Sequence, residues 1–88
     1  MGFIYTEHAE EKLQRKDIRE FGINKKLLEF TITTPDYEVR KTSTGEFAAV
    51  SNLKEVYILG VVYDKIGVRA KIITFHIARR GRYGTKIL

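Results

Sequence analysis

The sequence holds two histidines, and each stands among cations. His76 opens the stretch HIARRGRYGTKIL, where Arg79, Arg80, Arg82 and Tyr83 follow and no acidic residue occurs. His8 precedes Lys12 and Arg15 at spacings of four and three, which place all three on one helical stripe. Imidazole both accepts and donates protons near neutral pH. Guanidinium groups grip phosphate through paired, charge-assisted hydrogen bonds. Together these groups suit cleavage of RNA without a metal. That reaction needs a base for the 2′-hydroxyl proton, an acid for the leaving 5′-oxygen and cations around the phosphorane. In such a scheme His76 is the base, with Tyr83 or His8 the acid. Arg79, Arg80, Arg82, Lys12, Arg15 and the hydroxyl of Thr74 form the phosphate- and RNA-binding set. Glycines at 81 and 84 leave backbone N–H groups accessible but form no recognised phosphate loop.

Each of these residues also has a plain structural reading. His8 can be a polar residue of a first helical turn, and His76 a strand-end ring. The arginines can form a solvated terminus, although Tyr83, Ile87 and Leu88 are poor choices for one. Tyr5, Tyr57 and Tyr63 read as core or sheet-face residues. His8 and Glu11 lie one turn apart, but no third ligand follows at a metal-binding spacing, so the expectation is no metal site and no cofactor.

Charge distribution favours a polyanionic partner. The net charge is +5, but residues 1–64 carry −2 and residues 65–88 carry +7 with no acid at all. A segregated basic surface within so short a chain points to nucleic acid first and an acidic protein second. The absence of cysteine excludes disulfide scaffolds and thiol chemistry. At 43% hydrophobic and 31% charged residues, the chain has the composition of an ordinary globular protein. No leader pattern or membrane-length apolar run is present, so the expectation is a cytoplasmic protein without a membrane partner.

The elements that must position these groups are legible as one domain over residues 1–88. Thr6 can cap a helix running to about Glu20, with Gly22 near its end. Asn24 can cap a second helix, KKLLEFTI, which must stop before Pro35. Four strands follow: Tyr37–Thr42 and Glu46–Ser51 around a Ser43-Thr44-Gly45 turn, then Val56–Asp64 and Val68–Ile77 around Lys65-Ile66-Gly67. Tight connections make the strands antiparallel. The predicted fold class is therefore α+β, with two N-terminal helices packed on one face of a four-stranded antiparallel sheet. Strict alternation puts Val68, Ala70, Ile72, Thr74 and His76 on one face of the last strand, and Arg69, Lys71, Ile73, Phe75 and Ile77 on the other. The helical stripe of His8, Lys12 and Arg15 continues to Arg19, while Glu10 and Asp17 intrude on the apolar side.

His8-Ala9 with Lys12-Leu13 resembles the HAxxR opening of a family of small, uncharacterised prokaryotic domains. Gly22-Ile23-Asn24 followed by Pro35-Asp36 resembles that family's helix start and helix end, and the VVYD and IITFH stretches resemble its central strands. The family is related to BrnT-like and RelE-like toxins of toxin-antitoxin systems. The resemblance implies a RelE/barnase-like ribonuclease fold, a metal-independent endoribonuclease activity, RNA as substrate and an antitoxin protein as partner. Two departures stand out: Lys12 occupies an arginine position, and the stretch between Leu13 and Gly22 is longer than in that family. A non-catalytic nucleic-acid-binding module and a small protein-interaction domain with an acidic partner are the alternatives from other classes.

Overall fold

Thr6 sets the geometry of the N-terminus. Its backbone is extended, and its hydroxyl accepts a hydrogen bond from Ala9 N at 3.1 Å, which caps the first helix. In the computed structural model, which describes residues 2–40, 45–54 and 56–79, that helix is α1 (Glu7–Leu13), and it is preceded by a short strand, β1 (Gly2–Tyr5). Two further helices follow, α2 (Lys16–Glu20) and α3 (Lys25–Thr33). Strands β2 (Tyr37–Arg40), β3 (Phe47–Lys54), β4 (Tyr57–Ile66) and β5 (Arg69–Arg79) complete the order.

The architecture is α+β, and three features correct the sequence expectation. The sheet has five strands in the order β1-β5-β4-β3-β2, and it is mixed because β1 runs parallel to β5. Four apolar residues ahead of a helix cap give no alternation to read, and their pairing partner lies at the far end of the chain. There are three helices rather than two. Arg15 adopts an extended backbone, so the first predicted helix breaks into α1 and α2, and Arg19 leaves the stripe shared by His8, Lys12 and Arg15. The break also accounts for the two misplaced acids: Glu10 pairs with Lys25 at 3.0 Å and Asp17 with Arg15 at 2.8 Å.

The third correction concerns β5. Tyr63 pairs with Ile72 but Val62 pairs with Thr74, so Ile73 is an extra residue, a β-bulge. Alternation changes phase there. Ala70, Ile72 and Phe75 all belong to the core under the helices, whereas strict alternation would separate Ile72 from Phe75. Thr74 and His76 still share a face, but it is the face opposite Ile72.

Other expectations hold. Asn24 caps α3 by accepting from Leu27 N at 2.9 Å, and α3 ends at Thr33 ahead of Pro35. Asp36 Oδ2 accepts from Asn52 N at 2.7 Å and fixes β2 against β3. The predicted turn residues Ser43 and Thr44 lie outside the described residues. Leu28 and Ile32 from α3, Ile18 from α2 and Ala9 and Leu13 from α1 pack on Ala49, Leu59, Val61, Tyr63, Ile72 and Phe75 of the sheet. Val50, Ile58 and Ala78 form a smaller cluster on the other face. No helix among the described residues is long and apolar enough to cross a membrane.

Candidate active site

β1 covers β5 only from Arg69 to Ile72, which leaves the edge carbonyls and amides of the following residues to other partners. The chain turns at Thr6, whose backbone N–H donates to Ile72 O at 3.1 Å and whose hydroxyl donates to Ile73 O at 2.9 Å. From there α1 runs along the rest of that edge. Lys12 Nζ donates to the carbonyl oxygen of Phe75 and lies 5.1 Å from the centre of its ring. A lysine at this place has the reach to satisfy a strand-edge acceptor, which would otherwise cost about 1–3 kcal/mol if left unpaired.

This packing brings the predicted residues together. His8, one turn before Lys12 on α1, places Nε2 3.1 Å from Thr74 Oγ1. His76 is two residues beyond Thr74 on the same face, about 7 Å along the strand. Its ring lies across Gly60 of β4: a Cβ at position 60 would stand 2.9 Å from His76 Nε2 and 3.3 Å from Cε1. The absence of a side chain at Gly60 is therefore the seat of the imidazole. His8, Glu11, Lys12 and Arg15 line one shallow cleft, and Lys12, Arg15, Phe21, Tyr57 and His76 line its neighbour. The two clefts share Lys12 and Arg15 and so adjoin each other along the α1–β5 edge.

Electrostatics differ among the cations. Burial, followed by the nearby Arg15 guanidinium, pushes the Lys12 ammonium below its usual range. Arg15 forms two hydrogen bonds to Asp17, 3.2 Å from Nε to Oδ1 and 2.8 Å from Nη2 to Oδ2. Its hydrogen bond holds the Asp17 carboxyl below the usual carboxylate range. Both partners are exposed, so the pair is weakly held, and a phosphate can compete for the same guanidinium fork.

Arg79 is exposed at the end of β5, in register with Tyr57, on the helix-covered side rather than the side of His76. Arg80, Arg82 and Tyr83 lie outside the described residues. Among the described residues, no group of three or more His, Asp or Glu side chains is placed to hold a metal ion. Gly60 was not anticipated as part of the site, although a lone glycine inside the apolar run VYILGVVYD is the signal for a close approach. Glu11 reads only against a metal-ligand pattern one turn from His8, and Tyr57 as a core or sheet-face residue, so neither was expected in these clefts. The longer stretch between Leu13 and Gly22 is occupied by α2. No protein-family model matches the chain, and no curated protein or solved structure does either.

Proposed function

We propose that the protein is a metal-independent endoribonuclease of the toxin type, related to BrnT-like and RelE-like toxins and held in check by an antitoxin chain that masks its basic surface. The observation that carries this reading is the pair of histidines on either side of the Thr74 hydroxyl, one bonded to it and the other two residues along the same strand face. A phosphodiester over Thr74 lies between two groups able to move protons. One imidazole takes the 2′-hydroxyl proton as that oxygen attacks phosphorus. The bond from phosphorus to the 5′-oxygen breaks, that oxygen takes a proton from the other imidazole, and a 2′,3′-cyclic phosphate remains. His76 is the base, and His8 the acid among the described residues. Lys12 retains two N–H donors beyond the one given to Phe75, and Arg15 offers its fork, so both can hold the non-bridging oxygens.

The test is incubation of the purified protein with RNA in excess EDTA, followed by identification of the product ends. Cleavage that persists and leaves cyclic phosphate termini supports the reading. Activity that vanishes with chelation and returns with one divalent ion would sink the metal-free mechanism. Salt-sensitive RNA binding without cleavage would make the protein a non-catalytic binding module.

A further inference from the structure

The bulge at Ile73 does more than shift a register. On β4, which has no bulge, Gly60, Val62, Asp64 and Ile66 alternate onto one face, and their partners on β5 are His76, Thr74, Lys71 and Arg69. A regular strand would put Arg69 and Lys71 on the opposite side from Thr74 and His76. With one extra residue between Ile72 and Thr74, all four share the face away from the helices. Bulges are a recurrent device for re-aiming side chains near functional sites.

We propose that this line, Arg69–Lys71–Thr74–His76, is a track for single-stranded RNA leading to the histidine pair; the proposal rests on the ribonuclease reading of that pair. Arg69 is exposed, and its side chain lies across Gly2 of β1, where a Cβ would stand 3.3 Å from Arg69 Cγ. Lys71 is half-buried beside Ile4 and faces Asp64 across the β4 pairing. The hairpin tip adds exposed apolar surface at Ile66 and Val68, 48% and 83% accessible, suited to contact with sugar and base. From Arg69 to His76 the track is about 20 Å long. It covers up to about six nucleotides at a stacked spacing of ~3.4 Å per phosphate, and fewer when the strand is extended. Charge complementarity names the occupant: two cations precede the site, with Asp64 the acid among the residues paired with the track. Chemistry selects a single strand, because the 2′-oxygen, phosphorus and 5′-oxygen must come into line, which a stacked duplex opposes.

The experiment measures binding of the full chain to a labelled 12-nucleotide single strand, and to the same sequence as a duplex, across a salt series in EDTA. The 2′-deoxy sugar at every position keeps the probe intact. For Arg69→Ala/Lys71→Ala, the slope of log K against log salt should fall by about 1.4, with roughly 25-fold weaker binding at 0.1 M salt. The duplex should bind more weakly than the single strand. An unchanged slope, or a duplex preferred over the single strand, overturns the track. If the double variant does not fold, Asp64→Asn decides: binding tightened a few-fold supports the track, and unchanged or weaker binding overturns it. Cleavage is read separately on ribose RNA. Loss of binding in the track variants alongside an inactive wild type keeps the track and rejects the nuclease. Cleavage that needs His76 alongside unchanged binding in the track variants does the reverse.

Discussion

Two regions of the sheet use nearly the same residue types for opposite ends. At the margin formed by β2, β3 and β4, Arg40 and Lys65 sit over the Phe47 ring at 5.6 and 4.2 Å, and Phe47 stacks on Tyr63 at 5.7 Å. The Tyr63 hydroxyl donates to Glu38 Oε1 at 2.5 Å, and Lys65 lies 3.8 Å from the same carboxylate oxygen. Burial, then the hydrogen bond to Glu38, pushes the Tyr63 phenol far above its usual range. A phenol so raised keeps its proton near neutral pH. At the margin formed by α1 and β5, a histidine instead meets a neutral hydroxyl, and a second histidine lies over a glycine. Aromatic groups and cations build a clamp where the phenol donates to a carboxylate that a lysine also approaches. At the α1–β5 margin the hydrogen-bond partner of His8 is a threonine hydroxyl, and under the proposed ribonuclease reading the imidazoles there remain in reach of a substrate.

The sharpest way to break this comparison is to remove a proton-bearing group from each region. His76→Ala should lower RNA cleavage at least about 100-fold, the low end of what an acid–base group contributes. Tyr63→Phe should leave cleavage within about twofold, because its proton never moves during turnover. Equal losses in the two variants, with both proteins folded by circular dichroism, would erase the distinction.

A smaller effect is expected at the seat of the second imidazole. Gly60→Ala replaces glycine with a better strand former, which by propensity alone would stabilise the protein by roughly 0.5–1 kcal/mol. The Cβ at 2.9 Å from His76 Nε2 forces the ring to move, so the expected result is a net loss of about 1–2 kcal/mol in urea unfolding. The ring proton resonances of His76 should shift with it. A stabilised Gly60→Ala protein with unmoved His76 resonances would show that the ring does not depend on this contact.

The smallest effect belongs to alkaline pH and to the tyrosines of the clamps. Tyr5 is raised like Tyr63, by burial and by its hydrogen bond to Glu29 at 2.5 Å. Both phenols keep their protons in the fold and lose them near pH 10 when unfolded. Their contribution is fully present below about pH 10 and declines as pH rises above it, because the unfolded chain then releases protons that the native state retains. In an alkaline titration followed at 295 nm, the Tyr5 and Tyr63 absorbance changes should coincide with unfolding, and Tyr63→Phe should flatten the fall in stability. Ionisation of both rings while the far-ultraviolet signal stays native would show that the carboxylate partners do not hold them.

The legible parts of the fold were those set by near neighbours. Thr6 and Asn24 cap their helices through bonds to residues three positions on, and Pro35 stops α3 through its own ring geometry. The pairing of β4 with β5 follows from a short turn at Gly67 between two apolar runs. Of the site, the stripe of His8 with Lys12 and the common face of Thr74 with His76 could both be read from period alone. The helix break at Arg15 could not, since Gln14, Arg15 and Lys16 are all good helix formers, and Ile18 reaches the core beneath the sheet only after the chain has turned there.

By itself, then, the sequence determined which residues could move protons and hold phosphate, and which helix face or strand face each would occupy over a few residues. Tertiary structure decided which of them meet. His8 reaches Thr74 because a four-residue strand unreadable in the sequence pairs with β5 across the length of the chain and delivers α1 to its open edge. Lys71 joins His76 because Ile73 is extruded between them, and a single inserted residue reverses a period of two. Capping and alternation are local and leave their mark in composition and spacing. Strand pairing at long range and bulges answer to packing in the whole sheet, and no window of neighbouring residues records them.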